Sequence, residues 1–274
     1  MRPVFLIRYA EIALKGKNRN YFERRLVDNI KEFLRQKSLE YESLVRKRGF
    51  FVLYSMDHDD NFLGIRDIFG ISSISPAFET ESDLISIKET VTKAIEDKIF
   101  SSFRITTKRS DKRVDLKSND VDVEMGGYVA KKTGAKVSLK GYDLNIGIVI
   151  HDRSYVFTDI VKGIGGLPLG VEGRVLCVLD DNRSVDATLM MMKRGCDVVL
   201  CSRGEFDYAK IAKHYFKAGI KEPIFEKADS DEDIELLSER YGCKAIILAK
   251  SIEKTIKADK RFEDCLVLNP VIAY

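Results

Sequence analysis

Residues 174–195 read RVLCVLDDNRSVDATLMMMKRG, and they determine the fold class of the second half of the chain. The apolar run from Val175 to Leu179 is typical of a buried strand, and the run from Ala187 to Arg194 predicts the body of a helix. Five polar residues, Asp180 to Ser184, lie between them. Nucleotide-binding proteins place glycines at such a turn, because free backbone amides there can surround a phosphate. It is therefore an open question whether this loop binds phosphate.

Strand and helix alternate from this stretch to the end of the chain. Such alternation predicts a parallel, doubly wound sheet, which we assign to a domain spanning residues 169–274. The predicted strands are 175–179, 198–201, 223–227, 245–248 and 266–268, and the predicted helices lie near 186–194, 207–218, 231–241 and 252–258.

The first half of the chain predicts two α+β domains, at residues 1–79 and 80–168. In the first, the predicted order βαββαβ is the ferredoxin-like arrangement, with a strand at 4–9, a helix at about 18–37, and a hairpin turning at 47–49. The second predicts a helix capped by Asp83, a strand at 103–107, a helix at 121–133, and a hairpin around 151–154. Its end is marked by the glycine-rich stretch GIGGLPLG at 163–170.

That glycine-rich stretch resembles a dinucleotide-binding motif only in composition. Its spacing differs from the motif, and Leu-Pro-Leu-Gly follows where the motif requires a helix. We therefore interpret it as a connection between domains.

Composition places the chain among soluble globular proteins. Of 274 residues, 45% are hydrophobic and 32% charged, and no apolar stretch approaches the roughly 20 residues that cross a bilayer. The N-terminus lacks a signal-peptide pattern, so we expect a cytoplasmic protein without a membrane partner. The five cysteines form no CxxC pair, and we expect free thiols and no metal site. They are Cys177, Cys196, Cys201, Cys243 and Cys265.

Charge is distributed unevenly along the chain. Residues 1–50 hold thirteen basic and six acidic residues, whereas residues 222–274 hold eight basic and twelve acidic ones. A basic front half favours a polyanionic partner, although solvated surface charge would give the same count. Two basic clusters suit phosphate contacts at turns. The first is Arg8, Lys15, Lys17, Asn18 and Arg19, and the second is Lys108, Arg109, Lys112 and Arg113.

Four stretches, in this order and spacing, resemble the tRNA 4-thiouridine synthetases, or tRNA sulfurtransferases. They are RYAEIALKGKNRNYFERRL from Arg8, FRITTKRSDKR from Phe103, GIGGLPLGVEGRVL from Gly163 and MMKRG from Met191. The resemblance implies a ferredoxin-like domain, a THUMP RNA-binding domain and an adenylating PP-loop domain. In that family ATP activates uridine 8 of tRNA, and persulfide sulfur is then delivered. It also implies a homodimer, in which one subunit presents the tRNA acceptor stem and 3′ end to the other.

The loop at 180–184 departs from that family. The family's Ser-Gly-Gly-x-Asp-Ser is replaced by Asp180, Asp181, Asn182, Arg183 and Ser184, which is one residue shorter and lacks glycine. A carboxylate ~4 Å from a phosphate, at an effective dielectric near 20, costs on the order of 4 kcal/mol. Asp181 or Asn182 can instead cap the helix. We expect a degenerate PP-loop without catalytic residues, in a chain that ends before the family's catalytic cysteine region.

The favoured hypothesis is a tRNA-binding member of this family without its own adenylation activity and without a cofactor. The alternative is an active sulfurtransferase, a tRNA uracil 4-sulfurtransferase that uses ATP with magnesium through a divergent loop or depends on a partner protein for the missing parts. Such a partner would be a sulfur-donor or catalytic protein. A structural role without RNA is the third hypothesis. Binding of ATP separates the first two, and binding of tRNA separates the third.

Overall fold

The computed structural model describes residues 1–111, 113–249 and 266–271. The chain divides into two compact units, of which the first contains residues 1–8, 40–63 and 73–162 and the second contains residues 9–39, 64–72 and 163–274. Within the described part, no helix is long and apolar enough to cross a membrane.

The first unit is built on one nine-stranded sheet. Its strand order is β2-β3-β1-β4-β8-β7-β5-β6, with β9 also paired to β4. The pairing of β4 with β8 joins the ferredoxin-like segment to the segment that follows it in one sheet. The strands are β1 (Arg2–Arg8), β2 (Ser43–Lys47), β3 (Phe50–Tyr54), β4 (Ser73–Thr80), β5 (Ser102–Arg109), β6 (Lys136–Val137), β7 (Leu144–Ile150), β8 (Ser154–Phe157) and β9 (Val161–Lys162).

The predicted local elements of this half are present. The hairpin of β2 and β3 turns at Arg48 and Gly49, and Gly49 adopts a φ of +96° that a two-residue turn favours. Helix α1 (Arg19–Gln36) follows β1 and belongs to the second unit, and a 3-10 helix over Asp60–Asp67 precedes β4. The predicted ferredoxin-like order is thus confirmed.

Two helices cover one face of the nine-stranded sheet. They are α2 (Leu84–Ala94) and α3 (Ser118–Thr133). Asp83 caps α2 as predicted, since its Oδ1 accepts the Ser86 N–H at 2.9 Å. The core on this face combines helix and strand side chains. Its fully buried members are Ile87, Val91, Phe103, Val121, Met125, Val129, Ile146, Ile148, Ile150 and Val156.

The other face has a core whose described members all lie on strands, and we call it the strand-only face. The sheet curls about this core: β2 and β8 are separated by three strands, yet Lys47 Nζ lies 2.7 Å from Asp152 Oδ2 in the turn before β8. A flat sheet would place these strands about 19 Å apart. The core members are Val4, Leu6, Phe50, Val52, Tyr54, Ala77, Val149, Tyr155 and Phe157.

The second unit contains the predicted parallel sheet. Its five strands run in the order β12-β11-β10-β13-β14, and each described pairing is parallel. Side chains of β10 alternate between two cores, one packed with α4 and the other with α6, so both faces of the sheet are buried. The elements are β10 (Arg174–Val178), α4 (Asn182–Lys193), β11 (Asp197–Ser202), α5 (Ala209–Ala212), β12 (Ile224–Lys227), α6 (Asp231–Arg240), β13 (Ile246–Ile247) and β14 (Val267–Leu268).

One predicted helix of this unit is too long, and another lies outside the described residues. The helix predicted at 207–218 is limited to α5, because the chain turns into a bridge between Lys217 and Ile220 around Gly219, whose φ is +78°. The helix predicted at 252–258 falls on residues outside the described part.

The glycine-rich stretch at 163–170 packs against the end of α4. Leu167 N–H donates to the Lys193 carbonyl and Gly170 N–H donates to the Gly195 carbonyl, both at 2.9 Å. A Cβ on Gly166 would lie 2.3 Å from the Lys193 oxygen. These glycines therefore allow backbone to approach backbone, and the stretch connects elements as we interpreted it.

Candidate nucleic-acid interface

The loop between β10 and α4 is closed by its own side chains. Asp181 caps the helix, since its Oδ1 accepts the Ser184 N–H at 2.9 Å. Ser184 Oγ in turn accepts the N–H groups of Asp180 and Asp181, both at 3.1 Å, and donates to the Asp181 carbonyl at 2.5 Å. Ser184 is buried, whereas the other four residues of the loop are exposed.

Three backbone amides of this loop are not available to a pyrophosphate. A phosphate at a helix start needs backbone N–H groups, and three amides of this loop, those of Asp180, Asp181 and Ser184, already have acceptors. The Asp181 carboxylate also occupies the positive end of the helix dipole. Arg183 is an exposed cation in the first turn of α4, although it supplies no amide in place of those that are engaged.

Two members of the first basic cluster, Lys15 and Arg19, are engaged in contacts inside the second unit. Arg19 Nε lies 2.7 Å from Glu23 Oε1 and its NH2 donates to Tyr9 Oη at 2.6 Å. Burial and the hydrogen bond to Glu23 raise the pKa of Tyr9 to about 12. Lys15 Nζ lies 3.4 Å from Glu172 Oε1 and 4.7 Å from the Phe22 ring centroid.

Lys17 and Asn18 remain exposed in this cluster. They lie in the 3-10 turn Gly16–Asn18, and Asn18 does not cap α1 with its side chain. Four residues of this cluster lie in the second unit, and the exposed side chains among them are those of Lys17 and Asn18.

Arg8 belongs to the first unit and is held against the sheet. Its NH1 donates to Ser75 Oγ at 2.9 Å, and its guanidinium carbon lies 4.5 Å from the Phe157 ring centroid. Burial lowers the pKa of Arg8 to about 10, so the side chain is still cationic at neutral pH. Its NH2 is buried without a hydrogen-bond partner among the described residues.

In the second basic cluster, Lys108 is exposed and the arginines are engaged. Arg109 N–H donates to Ser118 Oγ at 3.2 Å, and its NH1 reaches the carbonyls of Val114 and Leu116 at 3.5 Å. Arg113 NH2 lies 2.5 Å from Asp111 Oδ2. This contact holds the pKa of the Asp111 carboxyl well below its usual range. Lys112 lies outside the described residues.

One ionic cluster has no counterpart among the sequence predictions. The buried Asp197 carboxylate accepts hydrogen bonds from Lys217 Nζ at 2.6 Å, Arg174 Nε at 2.8 Å and Tyr215 Oη at 2.8 Å. Burial alone would raise its pKa, but Lys217 and Arg174 outweigh burial and lower it. These contacts connect the start of β10 and of β11 to residues after α5, and no local sequence pattern predicts them.

The described cysteines are free thiols, as expected, and three of them are buried. Burial raises the pKa of Cys201 to about 12 and raises those of Cys177 and Cys196 as well. At neutral pH these three therefore remain protonated and are poor nucleophiles for sulfur transfer. Across the described ranges no group of His, Cys, Asp and Glu could hold a metal ion, and Cys265 lies outside them.

Two family models match the front of the chain. The model described as ThiI ferredoxin-like domain matches residues 4–75, and the THUMP domain model matches residues 81–159.

Curated relatives carry the name probable tRNA sulfurtransferase. The protein from Mycoplasmopsis synoviae (strain 53) is 40% identical over 200 residues, covering 72% of this chain and 51% of the relative. The protein from Thermococcus kodakarensis is 30% identical over 265 residues, covering 89% of this chain and 70% of the relative. The chain thus spans about half the length of the first relative and over two thirds of the second.

Two solved structures share the fold. PH1313 from Pyrococcus horikoshii Ot3 superposes with a TM-score of 0.87 at 28% identity, covering 99% of this chain and 95% of that chain. A 4-thiouridine synthetase crystallised with RNA and bound ATP superposes with a TM-score of 0.79 at 19% identity, covering 100% and 82%. At that identity the second likeness shows the fold.

Proposed function

This chain belongs to the tRNA sulfurtransferase family, and we propose that it binds tRNA without adenylating it. Relatives named probable tRNA sulfurtransferases and a protein of the same fold crystallised with RNA support tRNA as the partner. The bound part is the acceptor stem and 3′ end, contacted through phosphates by exposed cations that include Lys17 and Lys108.

The proposed lack of adenylation activity rests on the reciprocal pair of hydrogen bonds between Asp181 and Ser184. Because these bonds engage the backbone amides of Asp181 and Ser184 at the helix start, we propose no ATP or magnesium site in this loop and no catalytic residue within 180–184. The degenerate PP-loop is then a helix cap.

An active sulfurtransferase with a divergent loop is the second candidate. One observation favours it: the loop follows the carboxyl end of β10, which is the middle strand of the parallel sheet and has β11 on one side and β13 on the other. Doubly wound sheets bind ligands at such a switch point.

The proposal also covers the oligomeric state of the chain and its location in the cell. We propose a homodimer in the cytoplasm, with a sulfur-donor or catalytic partner protein where thiolation occurs. Light scattering at micromolar concentration, with and without tRNA, tests the dimer. A mass of 31.2 kDa for the free chain, together with a single copy of the chain in the complex with tRNA, contradicts it.

Calorimetry and pyrophosphate exchange separate the two candidate functions. The purified chain is titrated with tRNA and, separately, with ATP and magnesium in the presence of tRNA. We expect heat from tRNA, none from ATP, and exchange at background. Exchange that Ser184→Ala abolishes and the neighbouring helix variant Asp186→Ala preserves would establish the second candidate instead.

A further inference from the structure

One face of α4 borders a cavity of about 680 Å³, which we call the α4 groove. The helix contributes Arg183, Asp186, Leu189, Met190 and Lys193, whose spacings of three and four residues place them on one side of the helix. All residues that line the groove belong to the second unit. Ten residues separate Arg183 from Lys193, so the groove runs about 15 Å along α4.

The floor of the α4 groove is apolar. Phe69 and Val271 are buried members of the core beneath it, and Ile164, Leu189 and Met190 pack on that core while remaining partly exposed. A ligand with an apolar body would leave water on entering the groove, which is favourable. The floor therefore suits a ring or a hydrocarbon chain.

Two cations stand at the two ends of the groove. Arg183 and Lys193 are exposed, and the described residues give neither of them an ion pair. The Lys193 stem packs on Gly166, where an added Cβ would lie 2.6 Å from the Lys193 Cγ. Either cation can donate a charge-assisted hydrogen bond to an acid group.

Two further side chains restrict where that acid group can lie. Asp186 stands between the two cations along α4, and its carboxylate repels an anion in the middle of the groove. His214 Nδ1 lies 2.9 Å from the Asp67 carbonyl oxygen, which can only accept, so Nδ1 carries a proton. The His214 Nε2 has no partner among the described residues. A ligand of this site is thus apolar along most of its length and charged at one end.

We propose that the α4 groove binds a small amphipathic anion, which is an apolar ring system or acyl chain that ends in one acid group. The cavity has the size of small-molecule sites, about 300 to 1,000 Å³, which are mostly apolar with few polar groups. Arg183 and Lys193 against Asp186 leave an excess of positive charge, which selects an anion over a neutral or cationic ligand. The proposal depends neither on RNA binding nor on the absence of adenylation.

The test uses two fluorescent probes that share one aromatic body. Anilinonaphthalene sulfonate is an anion, and phenylnaphthylamine lacks the sulfonate and is neutral. The groove variant of the full chain carries Arg183→Gln and Lys193→Gln. The control variant carries Lys210→Gln and Lys221→Gln, two exposed lysines of the same unit that do not line the groove.

We expect the wild-type chain to bind the sulfonate and the groove variant to bind it about tenfold more weakly, as the loss of a charge-assisted hydrogen bond implies. The control variant should bind the sulfonate like wild type, and the neutral probe should bind all three chains alike. Decanoate and naphthoate should displace the sulfonate, and the stronger competitor shows whether the ligand body is a chain or a ring.

Four outcomes overturn the proposal. They are no sulfonate binding by wild type, equal sulfonate affinity of the groove variant and wild type, equal weakening of both probes, and displacement of the sulfonate by ATP with magnesium, which would make the groove part of a nucleotide site.

Two other occupants are tested in the same way. A change of mass in light scattering of the groove variant would assign the groove to a contact between two copies of the chain. Sulfonate binding that requires removal of residues 272–274 would assign it to the chain's own end. Met190→Glu places a carboxylate on the floor and should abolish sulfonate binding with an unchanged circular dichroism spectrum. If that variant does not fold, the groove variant, whose two positions are exposed, decides the result.

Discussion

Asp181 and Ser184 hydrogen-bond to each other in both directions across the first turn of α4. The Asp181 carboxylate accepts the Ser184 amide at 2.9 Å, and the Ser184 hydroxyl accepts the Asp181 amide at 3.1 Å. A capping box of this kind satisfies amides that would otherwise be free at a helix start. The loop is therefore closed by its own side chains, and its roles in stability and in ligand binding can be measured separately.

Removing the cap should destabilise the second unit. Asp181→Ala loses the acceptor for the Ser184 amide, and we expect a cost of about 1 kcal/mol in the free energy of unfolding. Asp180→Ala is the matched control, because Asp180 contributes its amide and not its side chain. Urea denaturation of both variants checks this, and equal stabilities would show that the cap is unimportant.

Restoring glycine should restore a phosphate site. Replacing residues 180–184 with Ser-Gly-Gly-Ile-Asp-Ser removes the carboxylates of Asp180 and Asp181, adds one at the new Asp, and frees amides at the helix start. We expect ATP binding to become detectable by calorimetry, whereas the wild-type chain gives no heat. Strong ATP binding by the wild-type loop is the result that contradicts the assignment of a degenerate site.

A side chain added at Gly147 should displace the Phe157 ring and thereby disturb Arg8, which packs on that ring. Gly147→Ala places a Cβ 2.3 Å from the Phe157 ring, and we expect a loss of about 1 to 3 kcal/mol from overpacking together with weaker RNA binding. Gly127→Ala on α3 is the control: nothing lies within 4 Å of its added Cβ, and removing a helical glycine should stabilise by about 0.5 to 1 kcal/mol. Thermal denaturation and RNA titration of both variants provide the comparison.

The Asp197 cluster should make the free energy of unfolding depend on pH in the acidic range. Although burial opposes ionisation, Lys217 and Arg174 lower the pKa of Asp197 below its ordinary value. A lowered folded-state pKa adds stability above the unfolded value, near 3.9, that is lost as the pH falls through the folded value.

Asp197→Asn should therefore cost about 3 to 5 kcal/mol at neutral pH, because Lys217 and Arg174 lose their buried partner. Its stability should fall less steeply than that of wild type below about pH 4. Urea titrations at several pH values measure both quantities. Parallel curves for wild type and variant would mean that Asp197 does not control the acid response.

Local patterns account for the parts of the fold that could be predicted. The strands around 174–202 are continuous apolar runs, which parallel strands buried on both faces require, and the parallel sheet is confirmed. The helix predicted at 207–218 is too long, because the chain turns at Gly219 and Tyr215 is buried by tertiary contacts that the local pattern does not show.

Sequence predicts only in part which basic side chains are engaged in contacts or buried. Arg19 and Glu23 are four residues apart on α1, a spacing that itself indicates an ion pair. The burial of Arg8 beside Phe157 could not be predicted, because these residues are brought together by strand pairings across more than a hundred positions of sequence. The same long-range register places Lys162 beside Ser73.

The pairing of β4 with β8 also determines how the first unit unfolds. Because Phe78, Glu79 and Thr80 pair in register with Val156, Tyr155 and Ser154, β4 and β8 share one ladder. Opening that ladder exposes the strand-only core on both sides of the seam at once. The strands at 2–8 and 144–157 should therefore melt in one cooperative transition, and their amides should exchange with deuterium at a common rate.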